Sequence, residues 1–165
     1  MQNEYIRTFR LDLSVNSKVD ASIQRSFSTL ESIERGLDRI HKLDRQTSDA
    51  LARAHAALKN SRGHRVLGDV ERALRQCRKA ISDSELLEVR ASRLDYKTSR
   101  LALDLQVQKA EIPALLAVLQ ERNAVATQRA KKYPAALAPR LIDLQQALAD
   151  ATWFYKLDLT LNQLR

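Results

Sequence analysis

The chain has 165 residues, a formal net charge of +8, three glycines, three prolines and only 5% aromatic residues. That mixture of helix formers with few turn residues and few aromatics excludes a collagen-like, disulfide-stapled or thick all-β domain, and fits a mainly α protein. One cysteine, Cys77, excludes an internal disulfide, and no run of eighteen apolar residues is present to cross a membrane. The Met1–Glu4 start has no basic region followed by an apolar run, so a cytoplasmic or otherwise intracellular location is expected.

Residues 5–15 alternate, with Phe9, Leu11, Leu13 and Val15 on one side and Arg10, Asp12 and Ser14 on the other. This is the period of a strand, and residues 1–16 are read as a strand or a flexible arm. Ser17 with Asp20 resembles a capping box that opens a long helix. From there Val19, Ile23, Phe27, Leu30, Ile33, Leu37, Ile40, Asp44, Thr47, Leu51, Ala54 and Leu58 recur at spacings of three and four. Such a stripe over about forty residues predicts a rod of roughly 60 Å that must lie against another rod. Gly36 is its weak point. Asp44 breaks the apolar seam and requires a basic neighbour or a wet spot opposite, because an unpaired buried carboxylate is costly. A polar residue at such a position more often fixes register than performs catalysis.

Asn60 to Gly63 should end this helix, with Gly63 in the left-handed capping position and Asp69 opening the next after Gly68. Val70, Ala73, Cys77, Ala80, Ser84, Leu87, Ala91 and Leu94 then form a second heptad seam of small residues. The short connection makes the pair antiparallel. The expected fold is an elongated antiparallel bundle built on a long helical hairpin, about 19–61 and 69–97, within a single helical domain spanning 1–165. The hairpin and its connections occupy 17–111, and shorter helical segments in 112–165 pack on it.

Alternation returns at 100–108 and at 155–161, and Phe9–Asn16 matches Tyr155–Asn162 in residue type at every position. The pattern admits short β-strands at 5–15, 100–108 and 155–161. The alternative is helix, since leucine favours helices over strands; residues 113–165 then form one kinked third rod. Pro113 suits a first helical turn, and Leu116, Leu119 and Ala126 face inward. The stretch Tyr133 to Pro139 should interrupt the helix, with Pro139 opening a last one that carries Leu141, Leu144, Leu148 and Ala151.

Charge is concentrated in two zones. Lys59, Arg62, Arg65, Arg72, Arg75, Arg78 and Lys79 face only Asp69 and Glu71 within 59–79, and 122–140 holds five cations and no acid. The first zone is the candidate anion-binding surface, carried by Arg62, Arg65, Arg72, Arg75, Arg78 and Lys79, with nucleic acid or anionic membrane as its partner classes. It lacks aromatics for base stacking. Three consecutive aromatics, Trp153, Phe154 and Tyr155, cannot all face inward on one helix and mark a candidate protein contact.

No catalytic constellation is visible. His41, His55 and His64 have no ligand-spaced companion, and the three glycines stand apart from one another, so no metal, cofactor or phosphate loop is expected. The resulting expectation is a non-enzymatic scaffold or adaptor that binds proteins and forms homo- or hetero-oligomers. A helical nucleic-acid-binding module using residues 59–79 is the alternative, and peripheral attachment to anionic membrane a further one.

Overall fold

The computed structural model describes residues 17–104 and 111–164. They form three helices: α1 (Ser17–Lys59), α2 (Gly63–Asp104) and α3 (Glu111–Gln163), of 43, 42 and 53 residues. The protein is a mainly α helical bundle. The segment 5–15 and the Ser17/Asp20 side chains lie outside the described part. Of the other two alternating segments, 100–104 ends α2, 105–108 falls outside, and 155–161 is helical. Strands are thus corrected to helix wherever those segments are described. A helix satisfies every leucine's backbone groups within its own segment, and Thr152 and Thr160 hydroxyls fold back onto the carbonyls of Leu148 and Lys156 at 2.8 and 2.9 Å.

Contacts divide the chain into two units, one of residues up to Gly36 with Leu87–Ala130, the other of Leu37–Leu86 with Lys131–Arg165. In the first, Ile23, Phe27, Leu30 and Ile33 of α1, Ala91 and Leu94 of α2, and Leu115, Leu116, Leu119 and Ala126 of α3 are buried. Gly36 faces Leu87: a Cβ on it would stand 2.7 Å from a Leu87 methyl carbon. The missing side chain is what admits the leucine, so the apparent weak point is a close contact of α1 with α2.

In the second unit Leu37, Ile40, Thr47 and Ala54 meet Val66, Val70, Ala73, Cys77, Ala80 and Ser84, together with Leu137, Leu144, Ala147 and Ala151. Ala54, Val66, Val70, Ala147 and Ala151 form one cluster with Leu51, Leu58 and Leu148 packed around it. Pairings of Asp44 with Arg140 and of Cys77 with Leu137 set the directions. As α1 runs from 44 to 54, α3 runs beside it from 140 to 151 and α2 returns from 77 to 66. Small residues on α2 keep its backbone close to both neighbours.

Two boundaries differ from the sequence expectation. The left-handed position in the turn is Ser61, at φ 55°, and no glycine has positive φ. The Arg62 and Ser61 amides donate to the carbonyls of Ala57 and Leu58, at 3.3 Å each, which is the paired bonding of a Schellman cap centred on Ser61. Gly63 already begins α2, with Tyr155 backbone atoms 3.6 Å from where its Cβ would be, and the helix runs through Gly68 and Asp69 without a new start. The second difference is α3, which continues through Pro134 and Pro139. Each proline leaves the carbonyl four residues earlier, Ala130 or Ala135, without its usual donor. Pro139, Ala135, Ala136 and Ala138 are exposed, so most of this weakened turn faces water. The inward positions Ala130, Tyr133, Leu137, Arg140 and Leu144 keep their heptad spacing across it, and continued packing outweighs the lost bonds.

An L-residue in the left-handed region costs about 1–2 kcal/mol, part of which glycine returns through the freedom of its unfolded chain. Ser61→Gly should raise the denaturant midpoint by the equivalent of about 0.5–1 kcal/mol, and Ser61→Val should lower it by about 1 kcal/mol or more. A loss of stability in the glycine variant would refute the assigned cap.

Candidate functional site

All six candidate anion-binding residues, and Lys59 with them, are exposed. Lys59 ends α1, Arg62 lies in the turn, and the other five are on α2. With 100° between successive residues, Arg65, Arg72, Arg75 and Lys79 fall within an arc of about 80° opposite the buried seam, and Arg78 stands off to one side. Among the described residues Arg72 alone of these has an ionic neighbour, Asp69 at 3.8 Å, an exposed i,i+3 pair of small energetic weight.

The second basic zone is partly internal wiring. In the first unit Arg122 forms a forked pair with Glu34, at 2.6 Å from Nη2 and 3.3 Å from Nε, with its guanidinium 6.0 Å from the Phe27 ring centre. In the second, Arg140 is the basic neighbour that Asp44 required. Its Nη1 donates to the Asp44 carboxylate at 2.5 Å, to the Asp44 carbonyl at 3.2 Å and to the Ser48 hydroxyl. The Ser48 hydroxyl in turn donates to the Asp44 carbonyl at 3.1 Å. These arginines fix α3 against α1 and are engaged in doing so.

Burial pushes the Cys77 thiol above its ordinary pKa; Arg140 opposes that shift and Asp44 adds to it. The sulfur donates to the Leu137 carbonyl at 3.5 Å and is fully buried. This is the environment of an inert packing cysteine. The three histidines are exposed, and no cluster of metal-binding side chains occurs among the described residues. No helix among them is long and apolar enough to cross a membrane.

The aromatic triplet separates into two roles. Tyr155 is half-buried, edge-on to His64 at 4.4 Å, and backs onto Gly63 at the hairpin turn. Trp153 and Phe154 are 60% and 40% exposed and stand edge-to-face with each other at 5.1 Å. Since Tyr155 is level with the turn, the last residues of α3 run past the hairpin. Trp153, Leu157 and Leu161 recur every four residues there and continue to Leu164, all exposed. Leu157 and Leu161 also line a cleft of about 160 Å³ with Leu58, Arg62 and Phe154. The strand reading of 155–161 hid this stripe, although the spacing of 153, 157 and 161 signals it.

No protein-family model matches the sequence, and comparisons with curated proteins and with solved structures find no match.

Arg140→Ala strands a partly buried carboxylate and should cost about 1–2 kcal/mol by chemical denaturation, whereas the double change Asp44→Leu with Arg140→Leu should recover most of that loss. An additive double mutant would show that the pair is not coupled. Alkylation of Cys77 should proceed no faster than transient opening of the fold, so its rate should fall as the chain is stabilised and jump in denaturant.

Proposed function

We propose that the protein is a non-enzymatic scaffold or adaptor that acts by protein–protein contact, as a subunit of a larger assembly. The observation that carries this reading is the bare apolar end of α3. Trp153, Phe154, Leu157 and Leu161 present one adjoining, partly exposed hydrophobic face beside the hairpin turn, and faces of this kind on a protein surface mark contact sites. The buried thiol, and histidines that form no cluster with one another or with acids among the described residues, support the non-catalytic part of the reading.

The basic face of α2 favours a second reading, a nucleic-acid-binding module, because Arg65, Arg72, Arg75 and Lys79 point from one arc and could neutralise neighbouring phosphates. Acidic lipid headgroups would engage the same cations.

The two readings separate on salt. Under the scaffold reading, the purified chain self-associates in light scattering or captures a defined protein in raised salt, and Trp153→Ala with Leu157→Ser weakens that association at least tenfold without loss of helicity. Under the second, affinity for generic duplex DNA or RNA falls steeply as salt rises, and Arg72→Glu, Arg75→Glu and Arg78→Glu together abolish it. A chain that remains monomeric, captures no protein, and loses nothing in the Trp153/Leu157 variant would overturn the scaffold reading.

A further inference from the structure

Within the first unit, the outward face of α2 carries a second heptad pattern that the bundle does not use. Val89, Tyr96 and Leu103 are spaced seven apart and are 47%, 66% and 68% exposed. Arg93 and Arg100 run beside them as a parallel row, and Arg90 and Lys97 form a third row nearer α1. None of these four cations makes a hydrogen bond or ion pair among the described residues. The same face opens into a groove of about 1030 Å³ between α1 and α2, in which Val89, Tyr96 and all four cations take part. Its α1 wall carries three small side chains, Ser22, Ser26 and Thr29, spaced four and three apart, beside Arg25. Among the described residues Glu88 and Asp104 are the acids that line it, and Arg25 adds a fifth cation.

A helix bundle buries its apolar side chains at heptad spacing and leaves its outward faces polar. An outward row that repeats an apolar residue every seven positions, flanked at the same period by cations with no partner among the described residues, supplies one apolar line between charges on which a further helix could lie. The small side chains of α1 leave room for a backbone to approach closely, as Gly36 does for Leu87 elsewhere in this unit. We propose that this groove is the docking site for an acidic amphipathic helix from a protein partner, which would lie in it as a fourth helix. In the groove its apolar residues would pack on Val89 and Tyr96, and its flanking carboxylates would pair with Arg90, Arg93, Lys97 and Arg100. From Val89 to Leu103 the row spans about 21 Å, so the partner needs about four helical turns. Charge complementarity selects its sign and suppresses basic competitors. Nucleic acid fits less well, because phosphates give the apolar row nothing to pack against.

This assignment rests on the scaffold reading and names one partner class for it, at a place separate from the end of α3. The probe is a synthetic four-turn, two-heptad peptide with leucine at the core positions and glutamate flanking them, compared with a scrambled peptide of equal charge, a peptide with lysine at the flanks, and a short DNA duplex. The full-length chain should bind the acidic heptad peptide at least tenfold more tightly than the scrambled one and should not bind the lysine peptide. Arg93→Glu with Arg100→Glu, exposed positions whose change should leave the circular dichroism spectrum intact, should reduce that affinity at least tenfold and gain binding of the lysine peptide. Tyr96→Ser should weaken both interactions. Equal binding of the scrambled peptide, an unchanged affinity in the double variant, or displacement of the peptide by duplex at matched concentration would overturn the assignment. Failure of the peptide while the Trp153/Leu157-dependent protein association persists refutes this groove alone; loss of that association as well refutes the scaffold reading.

Discussion

Coverage of long apolar stripes is the constraint from which the rest of the structure follows. Helices of more than forty residues with a heptad stripe are not stable alone in water, because their stability depends on burying that stripe rather than on intrinsic propensity. Each fully buried leucine or isoleucine contributes roughly 1.5–3 kcal/mol, but only while a neighbour excludes water from it. The three helices cover one another, and almost every special residue in the chain can be traced to keeping that coverage unbroken. Small residues on α2 shorten the approach, Gly36 makes space for Leu87, and Arg140 allows a carboxylate to occupy a seam position.

The polar residues in the seams define register. A leucine seam can slip by a heptad at modest cost, but Asp44 has one good partner and so does Glu34. The pairs Asp44/Arg140 and Glu34/Arg122 fix α3 lengthwise against α1, one in each unit. Asn123, fully buried in α3 with its amide nitrogen 3.3 Å from an Asp95 carboxylate oxygen, adds a contact of the same kind to α2. This accounts for the uneven character of the two basic zones. The cations at 59–79 lie on a solvent face, whereas two of the five at 122–140 are structural.

Much of the fold was legible because periodicity is a direct record of burial. All eight seam positions read on α2, from Val70 to Leu94, are buried, and on α1 the positions from Ile23 to Ile40 are too. The need for a cation opposite Asp44 was also legible, though which of many arginines would meet it depended on α3, whose register is set by long-range packing. Short patterns were read less well. Eight alternating residues at Tyr155–Asn162 fit a strand as well as they fit a helix whose leucines are exposed, and nothing local distinguishes the two. Proline rules overstate the break at 134–139, since they count the lost hydrogen bond but not the packing that persists on the opposite side of the helix. The turn was misplaced because glycine is the usual occupant of a left-handed cap, while here the positions of the last α1 carbonyls put Ser61 there. Of the candidate sites, the basic face was read from charge alone, but Leu157 and Leu161 became visible as part of an exposed apolar stripe only once 155–161 was known to be helical.

The closed turn at Ser61 has a consequence for the order in which the chain can fold. Ala54 and Val66 share a cluster although only a dozen residues separate them, whereas α3 reaches its partners across gaps such as 60 residues for Cys77 to Leu137 and 96 for Asp44 to Arg140. Closing a short loop costs less entropy than closing a long one, so pairing of α1 with α2 can start at the turn and spread outward before α3 arrives. The cost of loop closure thus places the third helix last, and the seams it covers depend on the most distant contacts in the sequence.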